Sequence, residues 1–230
     1  MKLDWQNWFE GKRFVGDWQR AKEAAQSTPM QDYYDVLLPE DSLLDDTPLV
    51  ALDFESDGLE KDAQLLEAGW VHIIDRAVKL KTAQRFRIRA ENRLKESAVV
   101  IHRITDDAAV EGGLEPDILA LLLDELKGAA IVAHAATIEQ SFLNRACLRN
   151  FGVPFVGRFI CTMQLEQRWF PKQRTADGLR LGKLRSQYGL PAYRAHDGLT
   201  DAIACGELFL AQRARHKVEK LLLKDVLMKG

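Results

Sequence analysis

Leu49-Val50-Ala51-Leu52 is an unbroken apolar run, set off by Pro48 and ended by Asp53 and Glu55. A run this short and this uniformly apolar suits a strand buried on both faces in the middle of a sheet. Side chains two apart on a strand share a face, so Asp53 and Glu55 project together from its end. Two carboxylates side by side where a buried strand gives out repel each other and are costly to desolvate. A hard divalent cation with oxygen ligands would remove that cost. A solvated strand end entering the Asp57-Gly58 turn is the alternative that spacing alone leaves open.

The pattern downstream reads as alternating strands and helices. Leu65 to Ile74 and Ala77 to Arg89 read as the next two strands, the latter with Phe86 and Ile88 alternating against Arg85, Arg87 and Arg89. Pro116 to Leu126 has Leu119, Leu122, Leu123 and Leu126 on one helical face. A short strand at Ala129–Ala133, a helix at Thr137–Asn150, a strand at Phe159–Thr162 and a helix at Leu179–Tyr188 follow. The last helix starts near Asp197 and runs past Leu210. Three antiparallel-type strands followed by helix, strand, helix, strand and helices predict an α/β domain with a mixed central sheet flanked by helices.

Residues 1–47 differ. Trp5, Trp8 and Phe9 are spaced to share a helical face, and a second helical stretch spans Asp17 to Gln26. Pro39 to Pro48 reads as a linker. The expected organisation is an N-terminal helical extension and linker over 1–47, a main domain over 48–212 and a charged helical tail over 213–230. The aromatic helices would cover the main domain, or meet a protein partner or a second copy of the chain.

With 230 residues, 47% of them apolar, there is enough to bury a core, which excludes wholesale disorder. The 32 basic and 34 acidic side chains give a net charge of -2. That excludes a histone-like grip on nucleic acid but not a local basic strip. Cys147, Cys161 and Cys205 form no C-x-x-C pair and read as reduced thiols in the cytoplasm. The N-terminus lacks a signal-like apolar core and no stretch is long enough to span a membrane, so no membrane contact is expected.

Further chemistry-bearing residues sit where elements begin or end. His196 precedes the last helix, and Asp201 lies in its first turns, followed by apolar residues. Val132 to Leu143 passes from a strand ending at His134 into a helix whose first turn holds Glu139. Each has an ordinary reading: a local turn histidine, or an acid favoured at a helix start. Together, Asp53, Glu55, Glu139 and Asp201 carry four negative charges, which two Mg²⁺ would neutralise. Two such ions can activate a water and stabilise the leaving oxygen of a phosphodiester, and a histidine of near-neutral pKa suits the accompanying proton abstraction.

In this arrangement the chain resembles the DEDDh branch of the DnaQ-like 3′–5′ exonucleases, which includes the epsilon subunit of DNA polymerase III and RNase T. Asp53-Phe54-Glu55-Ser56-Asp57-Gly58-Leu59 resembles D-x-E-T-T-G-L. Val132 to Leu143 resembles V-A-H-N-A-x-F-D-x-x-F-L, and His196 to Ala202 resembles H-x-x-x-x-D-A. Ile101 to Thr105 is similar to V-H-G-I-T, and Cys161-Thr162 to the family's C-T. The likeness covers roughly residues 48 to 212, with all motifs in order.

The resemblance implies a ribonuclease H-like exonuclease fold. It also implies a two-metal mechanism using Mg²⁺ or Mn²⁺, acting on the 3′ end of single-stranded DNA or RNA and releasing nucleoside 5′-monophosphates. Asp53, Glu55 and Asp201 would hold the catalytic metal, with Asp53 bridging to the second, and His196 would be the general base. His102, His134 and Ile138 would line the pocket for the terminal nucleotide. The backbone after Glu55, at Ser56, would meet the terminal 3′-hydroxyl. Glu139 stands where the family has Asp, Ala135 where it has Asn, Arg103 where it has Gly, and Ser56-Asp57 where it has Thr-Thr. None of these removes the metal trio or the histidine, so retained activity is expected, with Glu139 the position that would alter it.

Arg168, Lys172, Arg174, Arg180, Lys183, Arg185 and Arg194 are interleaved with Trp169, Phe170, Tyr188 and Tyr193, against the single acid Asp177. Such a strip suits a single strand through phosphate attraction and base stacking; a solvated helix face over core aromatics is the alternative. Two other functions stay open. One is a binding module on the same fold with weakened chemistry. The other is a polymerase proofreading subunit, less favoured because epsilon-like proteins carry their polymerase-binding tail after the nuclease domain, whereas the extension here is N-terminal.

Overall fold

The computed structural model describes residues 14–92, 111–171, 177–217 and 220–229, with no account of the side chains of residues 14–16. Trp5, Trp8, Phe9, the Ile101–Thr105 motif with His102, and the strip residues Lys172 and Arg174 lie outside the described residues.

Strand β1 (Leu49–Ser56) runs through the middle of a mixed sheet. On one side it pairs antiparallel with β2 (Leu65–Ile74), from Leu49↔Ile73 to Ser56↔Leu65. On the other it pairs parallel with β5 (Ala130–Ala133), which in turn pairs parallel with β6 (Phe159–Cys161). The far side of β2 carries β3 (Ala77–Val78) and β4 (Gln84–Arg87), both antiparallel. The single strand expected over Ala77–Arg89 is therefore two. Asp75 and Arg76, both at positive φ, turn the chain tightly into β3. A 3₁₀ turn at Leu80–Thr82 then interrupts the ladder. There the Thr82 hydroxyl accepts the His72 N–H at 3.0 Å and donates to Lys79 O at 2.8 Å, doing the work of the missing strand residues. The alternation read in the sequence holds over β4, where Phe86 stacks on Trp70 with ring centres 5.2 Å apart.

Because β1 is buried on both faces, its alternate residues feed two cores. Val50, Leu52 and Phe54 join a core with Trp70, Ile131, Leu119, Leu122 and Leu143. That side is built by α3 (Glu115–Glu125) and α4 (Thr137–Phe151). Leu49 and Ala51 join Val71, Ile73, Cys205 and Phe209 on the opposite side. There α7 (Gly198–His216) lies across β1 and β2, beside α5 (Thr162–Trp169) and α6 (Leu181–Gln187). The three cysteines are free and buried. Among the described residues no helix is long and apolar enough to cross a membrane.

Near the N-terminus, α1 (Phe14–Ala24) and α2 (Gln31–Tyr34) turn their described aromatics inward. Trp18 and Tyr33 each meet Tyr34 edge to face, and Tyr33 stacks on Phe155 at 5.1 Å. The Tyr33 hydroxyl donates to Val156 O and the Tyr34 hydroxyl to Pro154 O. The stretch 40–44 is bonded to the chain's last segment, which includes α8 (Leu223–Val226): Leu44 N–H donates to Leu221 O and Leu223 N–H to Ser42 O, each at 2.9 Å. Met228 N–H then donates to Phe159 O at 2.7 Å and covers the open edge of β6.

Gly69, in β2, allows α7 to start directly against the sheet. A β-carbon there would overlap the backbone of Gly198 and Leu199. Backbone cannot step aside as a side-chain end can, so Gly69→Ala is expected to cost about 3 kcal/mol or more, the upper range of overpacking penalties. Urea unfolding of the two proteins measures the difference.

Candidate active site

The sheet and two helix starts bring the predicted acids together. Asp53 and Glu55 leave the end of β1 on one face, as the period of a strand requires. Glu139 comes from the first turn of α4, which is joined to β5 by three residues, with Ala135 among them at φ 56°. Asp201 comes from the first turn of α7. Asp53, Glu55 and Asp201 each offer a carboxylate oxygen within 4.8 Å of the others, and the charge of Glu139 is felt at Asp53. All four, with His196, line one open cleft of about 1200 Å³.

The start of α7 is locally tied. Asp197 caps it, accepting from Thr200 N–H at 3.0 Å and from the Thr200 hydroxyl at 2.8 Å. Asp201 Oδ2 accepts the main-chain N–H of His196 at 2.7 Å and of Asp197 at 3.3 Å. These bonds hold His196 at φ 66°, exposed on the cleft wall.

Burial and crowding set the electrostatics. Desolvation, then the neighbouring charges of Glu139, Asp201, Glu55 and Glu67, push the Asp53 carboxyl well above the usual range. Desolvation also raises Asp201, against the hydrogen bonds it accepts. Glu139, 4% exposed, is pushed up to about 8 by burial and by Glu55. Its Oε2 is buried with no hydrogen-bond donor. A set of clustered oxygen donors, one of them buried without a partner, fits a hard divalent cation.

One acid of the site was not singled out from the sequence. Glu67, 1% exposed in β2, accepts from Gly198 N–H at 2.9 Å and from Arg85 Nε at 2.8 Å. Arg85 also pairs with Asp197 at 2.7 Å, so Glu67 and Arg85 clamp the start of α7 to the sheet. A lone acid inside Leu65–Trp70 was the available signal. Tyr193, read as part of the basic-aromatic strip, lines the cleft, where burial and then the charge of Asp201 raise the pKa of its phenol. Asp57 is committed to Gln64, accepting its main-chain N–H at 2.8 Å and its side-chain amide at 2.9 Å.

The residues expected around the nucleotide divide. His134 and Ile138 line the cleft. His134 Nδ1 lies 2.8 Å from Thr162 Oγ1, and burial lowers its pKa to about 4, so the ring is neutral near pH 7. The Ser56 hydroxyl donates to Gly58 O at 2.7 Å within the turn. Of the strip, Arg180 and Lys183 line the cleft and are exposed. Arg185 also borders it, but is 3% exposed, with its guanidinium donating to Ala204 O at 2.8 Å and Pro191 O at 3.1 Å and paired with Glu207. Arg168 turns toward the C-terminal segment, with Nη2 3.4 Å from Asp225 O. Arg185 and Arg168 of the strip are thus held by tertiary contacts that spacing cannot reveal.

A family model for exonucleases, RNase T, matches residues 50–209. The chain belongs to this exonuclease family. The DNA polymerase III subunit epsilon of Treponema pallidum is 32% identical over 116 residues, covering 50% of this chain and 54% of the relative. The corresponding subunit of Buchnera aphidicola is 23% identical over 173 residues, 70% of each chain. This chain thus spans about half the length of the Treponema relative in the match. Among solved structures, exonuclease X in complex with 5′-overhanging duplex DNA superposes with a TM-score of 0.62 at 21% identity, covering 77% of this chain and 98% of that one. The nuclease domain of 3′hExo, a DEDDh family member bound to rAMP, gives 0.64 at 16%, covering 76% and 95%. The mixed sheet between helices is the ribonuclease H-like fold expected from the sequence, and the DnaQ-like motifs carry the same assignment.

The raised carboxyls predict how stability of the metal-free chain depends on pH. For Glu139 the folded pKa of about 8 exceeds the ordinary 4.5. The folded state therefore holds the extra proton, and this contribution is full below about pH 4.5 and lost as pH rises through 8. Glu139→Gln removes the ionisation and is expected to raise the metal-free Tm at pH 9 by on the order of 3 °C or more, with the gap closing at pH 5. Thermal denaturation in EDTA at the two pH values measures it.

Proposed function

We propose that the exonuclease hydrolyses single-stranded nucleic acid from its 3′ end, releasing nucleoside 5′-monophosphates. The observation that carries this reading is the convergence of Asp53, Glu55, Glu139, Asp201 and His196 in one cleft, from one strand end and two helix starts. The order of motifs, shared with DEDDh exonucleases, supports the polarity. Asp53, Glu55 and Asp201, with Asp53 shared, would hold two divalent ions, Mg²⁺ or Mn²⁺, and Glu139 would complete the set. Such ions supply charge neutralisation and water activation at a phosphodiester.

The protein's own groups do the rest. His196, exposed on the cleft wall, accepts the proton of the attacking water. His134, neutral at working pH, and Ile138 line the space for the terminal nucleotide. The backbone after Glu55 meets the terminal 3′-hydroxyl. Arg180 and Lys183 attract the phosphates behind it. The catalytic unit in this reading is 48–212, with 1–47 and 213–230 as flanking segments. The epsilon relatives favour a second reading, in which the same nuclease serves beside a polymerase; co-purification with a polymerase α-type subunit tests it.

The first test is a time course on 5′-labelled single-stranded DNA and RNA with Mg²⁺, Mn²⁺ or EDTA. The expected result is a cation-dependent ladder shortening from the 3′ end, slowed by about 10²- to 10⁴-fold in His196→Ala, the range of a lost general base. Wild-type protein that leaves both strands intact while Glu139→Asp cuts them would make the natural chain an attenuated nuclease. Strands that are bound but never cut by either would replace the enzyme with a binding module.

A further inference from the structure

The arginines that alternate along β4 have no part in the cleft described above, yet the sheet register aligns them with its acids. Across β1, β2 and β4, Asp53 stands opposite Gly69 and Gly69 opposite Arg85; Glu55 stands opposite Glu67 and Glu67 opposite Arg87. Residues directly opposite in a ladder share a face of the sheet, and so do residues two apart on one strand. Asp53, Glu55, Arg85 and Arg87 therefore occupy the same face, and Arg89 continues the series. Phe86, stacked on Trp70, and Ile88, buried in the core, take the other face.

Helix α7 covers only part of this face. It starts over the row of Asp53, Gly69 and Arg85, where Gly198 abuts Gly69, and runs toward Ala51 and Ile73, against which Gly206 lies. The row of Glu55, Glu67 and Arg87 is on the open side of that helix start. Arg85 is engaged by Glu67 and Asp197. Arg87 and Arg89 are exposed, and among the described residues neither guanidinium has an ion pair or a hydrogen bond. Two strand spacings place Arg87 about 10 Å from Glu55 across the sheet. Arg87 and Arg89 are about 6.8 Å apart along β4, close to the separation of successive phosphates on an extended strand. A guanidinium matches a phosphate with two parallel donors, which suits it to this ligand better than an ammonium.

We propose that Arg87 and Arg89 form a phosphate track for the substrate strand, taking its backbone two or more nucleotides 5′ of the bond that is cut. The track deepens the reading of the cleft and rests on a single strand entering it by the 3′ end. It is separate from Arg180 and Lys183, which reach the cleft from the start of α6. A strand leaving Glu55 along the row over β2 reaches Arg87 directly, so one extended backbone spans the acids and the track.

Fluorescence anisotropy in Mg²⁺ tests this with a dodecameric oligothymidylate whose 3′ linkages are phosphorothioate, so that it is not consumed. Wild type is compared with a double variant, Arg87→Gln with Arg89→Gln. Binding is expected to weaken about 5-fold, the scale of two exposed charge contacts. The slope of log affinity against log salt should shrink by roughly 1.4, about 0.7 for each phosphate contact on a single strand. KM for a dinucleotide, whose one linkage is the bond cut, stays unchanged. Lys127→Gln with Arg149→Gln, the same change of charge on the α3–α4 side of the sheet, should leave binding as in wild type. Equal affinity of wild type and the β4 variant would overturn the track, and so would an equal loss in the Lys127 and Arg149 variant. A loss seen only when the dodecamer is the 3′ overhang of a duplex would also overturn it, assigning the arginines to the complementary strand. A wild type that shows the expected affinities but cuts nothing would sink the hydrolytic reading and keep the track. A wild type that binds no oligonucleotide would sink both.

Discussion

Mutual repulsion among carboxylates at the end of a buried strand is the constraint around which the rest of this molecule is arranged. Four acids, Glu55, Glu67, Glu139 and Asp201, stand close enough to Asp53 for their charges to be felt there. The chain treats them in two ways. Glu67 is answered within the protein, by the Gly198 N–H and the Arg85 guanidinium, and serves as structure. Glu139 is buried with an oxygen that nothing donates to. A protein built for stability alone would have matched or removed that oxygen, since an unsatisfied buried acceptor costs on the order of 1–3 kcal/mol, more when charged. Its retention beside three further carboxylates marks a place whose partner comes from outside the chain.

The answered acid also explains how the unanswered ones are held. Glu67 grips the first N–H of α7, and Arg85 grips both Glu67 and the cap residue Asp197. The absence of a side chain at Gly69 lets that helix start press on the sheet. Asp201, one turn further on, thus inherits its position from β2, while Asp53 and Glu55 take theirs from β1, the strand paired with it residue by residue. The register of the antiparallel pair is therefore what sets the spacing of the acids, and a slip of one residue would turn Asp53 and Glu55 to the opposite face.

Legibility in the sequence followed locality. The burial of β1 on both faces, the shared face of Asp53 and Glu55, and the helix-start placement of Glu139 and Asp201 each depend on residues a few positions apart, and periodicity carries them. The break between β3 and β4 does not, because it depends on the Thr82 hydroxyl meeting an N–H ten residues back across a turn. Arg185 looked like its basic neighbours until the carbonyls of Ala204 and Pro191 took its donors. Tyr193 has no periodic element around it to say which way it faces. Glu67 was the readable exception that local patterning did not interpret: an acid among Leu65, Leu66, Ala68 and Trp70 must be paired or functional, but its partners come from β4 and α7.

The charge distribution bears on substrate capture under the proposed reading. A single strand is a polyanion, and the metal-free cleft meets it with four clustered carboxylates and, among the described residues, Arg180 and Lys183 as exposed cations on its wall. Exposed charges are screened within about 8 Å at physiological ionic strength, and Arg180 already pairs with Asp177 at 3.2 Å. The acids, recessed and desolvated, are screened less. Whatever negative charge they keep repels a terminal phosphate, and divalent ions bound among them neutralise it. Cation and strand must therefore favour each other's binding by the same factor, as linkage requires. The near-zero net charge of the chain then acts as a safeguard: without a bound cation it has little general attraction for nucleic acid, and with one the attraction is confined to the cleft where the bond is cut.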